Sequence, residues 1–486
     1  MFIYFLQKKG FVDANTSYLD DKLAESRKRG PNRFFSEFLQ ALFFEGFAKP
    51  NPSAKAQRLL GAVPYLNGGL FLKHALEQKY AGRIRIPDKA FENLLALFGR
   101  YSWHLDDRPS GNDDEINPDV LGYIFEKYIN QKQFGAYYTR PEITDYLCER
   151  TIKRVVLDRL NAQCGRRFER LEDALLELNA DVCRALVLPG GVLSSVALLD
   201  PACGSGAFLI AALKILVNVY AAVLGKIEFL CDARLTAWKA ELERHRSLAY
   251  EVKKRIVTDN LFGVDIMEEA TEICKLRLFL TLVASVERAG QLEPLPNIDF
   301  NIFAGNSLIG LLHVREEDCS IFTTPEHYRE ALKEKNRLID EYRHASSQTT
   351  AEDLQTLKTA VEARITPLRQ GLTQLLYHQF SELGIYHEEA LDTKKYKKHP
   401  LELSDIEALK PFHWGFEFDR VVQERGGFDA IITNPPWEIF KPNAKEFFEE
   451  FSDLVTRKKM SIKDFEKEQT KLLKDDDIRQ AWLDYL

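Results

Sequence analysis

Leu198-Leu199-Asp200-Pro201-Ala202-Cys203-Gly204-Ser205-Gly206-Ala207-Phe208-Leu209 is the stretch on which the fold turns. An apolar run ends in an acid, turns on small residues and restarts as an apolar segment, which reads as strand, glycine loop and helix. Glycines at 204 and 206 let the backbone turn tightly and approach a ligand with no side chain in the way. The helix that starts beyond them aims its free amides at the turn, so something polar is expected to sit there. A Walker loop would continue with Gly-Lys-Ser/Thr, whereas Gly206 is followed by Ala207 and Phe208, which argues against a nucleoside triphosphate.

Around this turn lies a chain of 486 residues, enough for two or three cores. A formal net charge of -7 gives no global attraction to a polyanion, so any nucleic-acid face must be local. The cysteines, at 148, 164, 183, 203, 231, 274 and 319, form no CxxC pair. They read as reduced thiols rather than a disulfide or metal framework. No apolar run is expected to reach the roughly twenty residues of a membrane span, and no basic leader opens the chain, so a cytoplasmic protein is expected. The apolar opening Phe2-Ile3-Tyr4-Phe5-Leu6 suggests a chain that begins inside its own core, as a fragment would.

Residues 1–130 read as a helical N-terminal domain, with apolar residues every three or four positions over 33–44. Arg27-Lys28-Arg29 with Arg33 reads as a solvated helix end. In Phe134-Gly135-Ala136-Tyr137-Tyr138-Thr139-Arg140-Pro141, Thr139 is placed to cap the helix begun by Pro141. Beyond the glycine turn, residues 209–224 continue as helix and 226–252 as a charged helical insert. A second strand, Asn260-Leu261-Phe262-Gly263-Val264-Asp265-Ile266, also ends in an acid. Such an acid either takes ribose hydroxyls or caps the helix that follows. Residues 297–308 read as a third strand and turn. Between about 315 and 410 the pattern is charged and helical, an antiparallel helix pair over 331–342 and 351–380, with a solvated lysine loop at 394–399.

Gly427-Phe428-Asp429-Ala430-Ile431-Ile432-Thr433-Asn434-Pro435-Pro436-Trp437 is a buried strand running into an Asn-Pro-Pro-aromatic turn. An exocyclic amine on an aromatic ring is a poor nucleophile because its lone pair is delocalised into the ring. Two acceptors for its protons, the Asn434 side-chain oxygen and the Pro435 carbonyl, would push that nitrogen toward a nucleophilic geometry. Pro435 and Pro436 stiffen the turn and bring no competing amide, and Trp437 offers a face on which a flipped base can stack.

Several of these stretches together resemble one family. DPACGSGAFL is similar to motif I of the S-adenosylmethionine-dependent amino-methyltransferases of DNA, FGAYYTRPEI to their motif X, and NPPW to their motif IV, in the gamma order X, I, II, IV. Val63-Pro64-Tyr65-Leu66-Asn67-Gly68-Gly69-Leu70-Phe71 looks like the turn before the methylase core of type IIG restriction-modification enzymes. The resemblance covers about 60–450 and extends to BREX-like enzymes. It implies a Rossmann-like α/β sheet, with a catalytic domain over 131–486 and a helical insertion at 315–410. It implies S-adenosylmethionine held by Tyr138, Thr139, Asp200, Ala202, Cys203, Gly204, Gly206, Phe208, Asp265 and Ile266, with Asn306 of GNSL near the adenine ring. It also implies that Asn434, Pro435, Pro436 and Trp437 are catalytic. Asn at the first position resembles adenine-N6 rather than cytosine-N4 enzymes, and no PD…ExK nuclease pattern is present.

Double-stranded DNA is the implied substrate. Only some fifty residues follow the NPPW turn, so the remaining strands and the target-recognition part are expected on a second polypeptide or a longer parent. Two other readings stay open: a cofactor-binding or scaffold subunit of a phage-defence complex, and a protein-glutamine methyltransferase.

Overall fold

The computed structural model describes every residue except 67–70, 72–74, 81–82, 105–114, 128–138, 316, 322, 344–350, 393–394, 436–443, 450, 453–461 and 486. The chain divides into two compact units, Met1–Gly371 with Pro411–Pro435, and Leu372–Lys410 with Pro436–Leu486. Asn67, Gly68, Gly69, Leu70, Tyr138, Pro436 and Trp437 lie outside the described residues.

The larger unit is built on a four-stranded parallel sheet of β1 (Leu198–Asp200), β2 (Leu261–Asp265), β3 (Ile302–Ala304) and β4 (Ala430–Ile431). Its spatial order is β3-β2-β1-β4. Register pairs Leu198 with Leu261 on one side and with Ala430 on the other, and Gly263 with Ile302. Every residue of β1 and β2 is buried, as the near-continuous apolar runs of a sheet covered on both faces require. The chain steps outward from β1 to β2 and β3, then crosses back to add β4 on the far side of β1. That reversal is a topological switch point, where open α/β sheets leave a crevice beyond the strands' carboxyl ends.

Four helices belong to the same unit as the sheet, α1 (Pro118–Phe125), α2 (Pro141–Cys164), α3 (Ala207–Ile227) and α4 (Glu268–Ala284), with α3 packed on α2 and α4 on α1. The Asn117 side chain accepts from the Asp119 and Val120 amides, and Pro118 supplies a first-turn residue that needs no partner. Helix α3 is long and apolar enough to cross a membrane by length and composition, with a mean hydropathy of 2.2, against the expectation that no run would be. It is apolar on several faces because it packs against the sheet on one side and α2 on another, as the all-round hydrophobic pattern of a core helix requires.

Three local expectations differ from what is seen. Residues 34–39 and 42–47 take wide π-type turns rather than α-helix, and Phe34 and Phe38 stack there with ring centroids 5.0 Å apart. The insert between α3 and β2 is two helices, Ala233–Leu242 and Leu248–Asp259, each started by a side-chain cap, Asp232 and Ser247. The helices expected between β3 and β4 are present as Pro325–Arg343 and Ala351–Glu382, but the lysine loop is a strand. Lys395–Pro400 pairs antiparallel with Tyr386–Asp392. Opposite charges help explain it: Glu388 faces Lys398, with a 2.8 Å ion pair. This hairpin belongs to the smaller unit, whose core gathers on Phe448 and Trp482.

Candidate functional site

The site begins where β1 ends. Asp200 is buried, and its carboxylate oxygen accepts the Ala202 amide at 3.2 Å, which bends the chain out of the strand. Burial pushes this carboxyl up to about 7, while the Thr433 hydroxyl and the Ala202 amide pull it part of the way back. Gly204 and Gly206 follow with φ of +49° and +85°, the left-handed region in which a side chain is strained.

Second-strand geometry locks the same turn. The Asp265 carboxylate accepts the Gly204 amide on one oxygen and the Met267 amide on the other, at 2.8 and 2.9 Å. One side chain therefore fixes the residue before α4 and holds the glycine turn to β2, and burial raises its pKa. Each of its oxygens keeps a further lone pair for a hydroxyl. Ile266, beside it, is 44% exposed and presents an apolar surface at the strand end.

Motif residues do not all reach the crevice. The side chains of Cys203 and Phe208 are buried; the Cys203 thiol lies against Cys274, which helps push its pKa well up, and the Phe208 carbonyl accepts from Cys148. Only their backbone can serve a ligand at the turn. Asn306 spends its side-chain oxygen on the Leu308 amide at 3.1 Å, closing the turn after β3.

Asn434 and Pro435 follow β4 on the other side of the switch point, and Pro435 is exposed. Asp429 fixes the strand that carries them, accepting the Ala197 amide at 2.8 Å and pairing with Arg159. The Asn434 amide nitrogen donates to the Thr139 hydroxyl at 2.9 Å. Thr139 was expected to cap α2. Instead Arg140 is the N-cap residue, with no side-chain cap, and the Thr139 hydroxyl is turned to Asn434.

Sequence reasoning missed a buried polar network beneath the turn. Glu126, directly after α1, accepts from the Ser205 amide at 3.2 Å and from its hydroxyl. Arg277 of α4 donates to the Ser205 carbonyl at 2.9 Å, to its hydroxyl at 2.7 Å and to Asp119 of α1 at 2.8 Å. Burial raises the Glu126 pKa against the opposing pull of Ser205 and Arg277. A lone arginine inside the apolar run Leu276-Arg277-Leu278-Phe279-Leu280 was the signal that could have found it.

A methyl added at Gly206 would meet the Cys274 sulfur at 2.6 Å. With the positive φ added, Gly206→Ala is expected to destabilise the protein by about 2–3 kcal/mol. Urea unfolding measures it; a loss below about 0.5 kcal/mol would mean that the turn is pliable.

Two segments of the chain match known protein families. Residues 259–477 match the family described as Eco57I restriction-modification methylase, and residues 184–301 match the MmeI DNA-methyltransferase domain. The chain is 29% identical, over 94% of its own length and 42% of the relative's, to a putative type II restriction enzyme and methyltransferase, RM.MjaORFECS2P, of Methanocaldococcus jannaschii. It is 34% identical to the type II restriction enzyme and methyltransferase RM.Eco57I of Escherichia coli over 23% of this chain and 11% of that one. The type IIL restriction-modification enzyme MmeI in complex with DNA overlays at a TM-score of 0.37 and 15% identity, over 82% of this chain and 51% of that chain. The chain spans less than half the length of the two curated relatives. The two family matches together run from residue 184 to 477, and over that span the chain is similar to the methylases of type II restriction-modification enzymes.

Proposed function

We infer that this chain is the methylase part of a restriction-modification enzyme, transferring a methyl group from S-adenosylmethionine to the N6 amine of adenine in double-stranded DNA. The observation that carries the reading is the placement of Asn434. It follows the strand next to the glycine turn, and its amide nitrogen is spent on Thr139. That bond orients the side-chain oxygen as the acceptor end, which an adenine amine requires. The Pro435 carbonyl is the second acceptor, and Pro436 and Trp437 of the Asn-Pro-Pro-Trp motif are assigned to receiving a flipped base.

S-adenosylmethionine, when bound, supplies the activated methyl group, and the residues present fit it. The left-handed turn at Gly204 and Gly206 gives close backbone approach beside the start of α3. Asp265 offers carboxylate lone pairs for ribose hydroxyls, Ile266 an apolar surface for the base, and Asn306 stands at the end of the next strand over. Ala202 and Asp200 shape the turn, and Tyr138 and Thr139 are assigned to the cofactor by the motif that they belong to. Nothing in this set need act as a base before transfer, so the chain's contribution is positioning. Target recognition is assigned to a longer parent chain or a second polypeptide.

The test is calorimetric titration of the purified chain with S-adenosylmethionine, followed by methyl transfer to adenine-containing duplex DNA with the recognition part supplied. Asp265→Ala is expected to weaken cofactor binding about tenfold or more. Asn434→Ala should leave that binding intact and lower transfer roughly 100-fold or more. Transfer to a peptide glutamine in place of DNA, or no saturable cofactor binding by the unmutated chain, would overturn the reading.

A further inference from the structure

The smaller unit carries a cluster unrelated to the methylase crevice. His387 and His399 stand directly opposite each other across the hairpin, with rings 4.7 Å apart and planes inclined by 19°. Asp405 approaches from the helix Leu403–Ala408, and its Oδ1 lies 3.3 Å from His387 Nδ1. One donor atom from each of the three residues falls within 4.8 Å of the others, and all three side chains are half-buried. We propose that His387, His399 and Asp405 form a binding site for a divalent transition metal of the zinc class.

Geometry, donor chemistry and orientation all favour it. Two ligands bonded at about 2.0–2.1 Å to one tetrahedral metal sit about 3.3 Å apart, which is the separation of His387 Nδ1 and Asp405 Oδ1. Two imidazoles and one carboxylate form a borderline nitrogen and oxygen set suited to zinc and its neighbours, not to magnesium or calcium. The donors are also held from behind. His399 Nδ1 donates to the Pro400 carbonyl at 2.9 Å, which leaves Nε2 as the lone-pair nitrogen. Asp405 Oδ2 accepts the Glu402 amide at 2.8 Å, leaving Oδ1 toward the imidazole. Such outer partners are what fix ligand orientation in metal sites.

The site also answers a structural need. A two-stranded hairpin is marginal by itself, and the Glu388–Lys398 ion pair across this one contributes little in water. A metal held by both strands and the following helix cross-links three segments, the kind of staple that small modules use. The three ligands lie in no short-spaced motif that would announce a metal site.

The probe is Zn²⁺ added to the full chain, with Co²⁺ as the coloured substitute. One equivalent is expected, with the intense visible bands of tetrahedral cobalt, and with a rise in the unfolding temperature. His387→Ala and His399→Ala, each folded by circular dichroism, should weaken binding at least about 100-fold. His245→Ala should leave it unchanged; that residue belongs to the other candidate cluster, with Glu251 and Glu293, which already faces the cations Arg255 and Lys254. Equal binding by the His387 and His399 variants, loss of binding in His245→Ala alone, or weak octahedral cobalt bands would each overturn the proposal.

Discussion

Arg277→Met is expected to lower the stability of this protein by about 3–5 kcal/mol, the usual loss when one partner of a buried ion network is removed. Arg277 is 3% exposed and Glu126 7%. In the variant, Ser205 loses both contacts from the guanidinium, and Glu126 keeps its burial while losing the one positive charge that holds its pKa down. The Glu126 carboxyl then titrates still higher. Its loss is therefore smallest below the ordinary carboxylate range and grows as the pH rises through the shifted value. Glu126→Gln in the same chain should recover part of the loss at neutral pH, since the uncompensated charge is gone. Guanidinium unfolding of the two single variants and the double variant measures the coupling, and strictly additive losses would show that the network does not act as a unit.

A second large effect is tied to pH. The Asp200 carboxyl moves from an ordinary 3.8 to about 7 on folding, so the folded chain holds a proton there that the unfolded chain has released. Stability from this group is fully present below pH 3.8, falls as the pH climbs toward 7, and is constant above. Three units correspond to about 4 kcal/mol. Asp200→Asn keeps an oxygen for the Ala202 amide and removes the titration. The difference between parent and variant unfolding free energies should therefore swing by that amount between pH 4 and pH 8. Parallel curves would mean that the carboxyl is solvated in the folded chain. Comparing the two chains is essential, because burial also raises Glu126 and Asp265.

What the sequence disclosed and what it hid follow from range. The glycine turn was legible because its physics is local: an acid, two small residues free to adopt positive φ, and a helix start lie within nine positions. Asp265 was legible as a strand end, but its double duty on Gly204 and Met267 could be seen only once β1 and β2 were paired. Thr139 shows the limit. Its sequence neighbours call for a helix cap, and a residue 295 positions away claims its hydroxyl instead. Glu126 and Arg277 are separated from Ser205 by 79 and 72 residues, and spacing of that order carries no periodic signal. The charged hairpin was hidden for another reason. Glu and Lys are poor strand formers in isolation, and the pairing that rescues them is a property of two segments together.

The return of the chain to β4 sets a timetable for synthesis. Ala197, at the entry to β1, waits for a carboxylate 232 residues further on. At 5–20 residues per second that is on the order of ten to fifty seconds. Throughout this interval one edge of the central strand is unpaired, next to a helix apolar enough to pass for a membrane span. The nascent chain thus offers ribosome-associated chaperones a long-lived target, and slowing translation before Ala430 should raise the aggregated fraction.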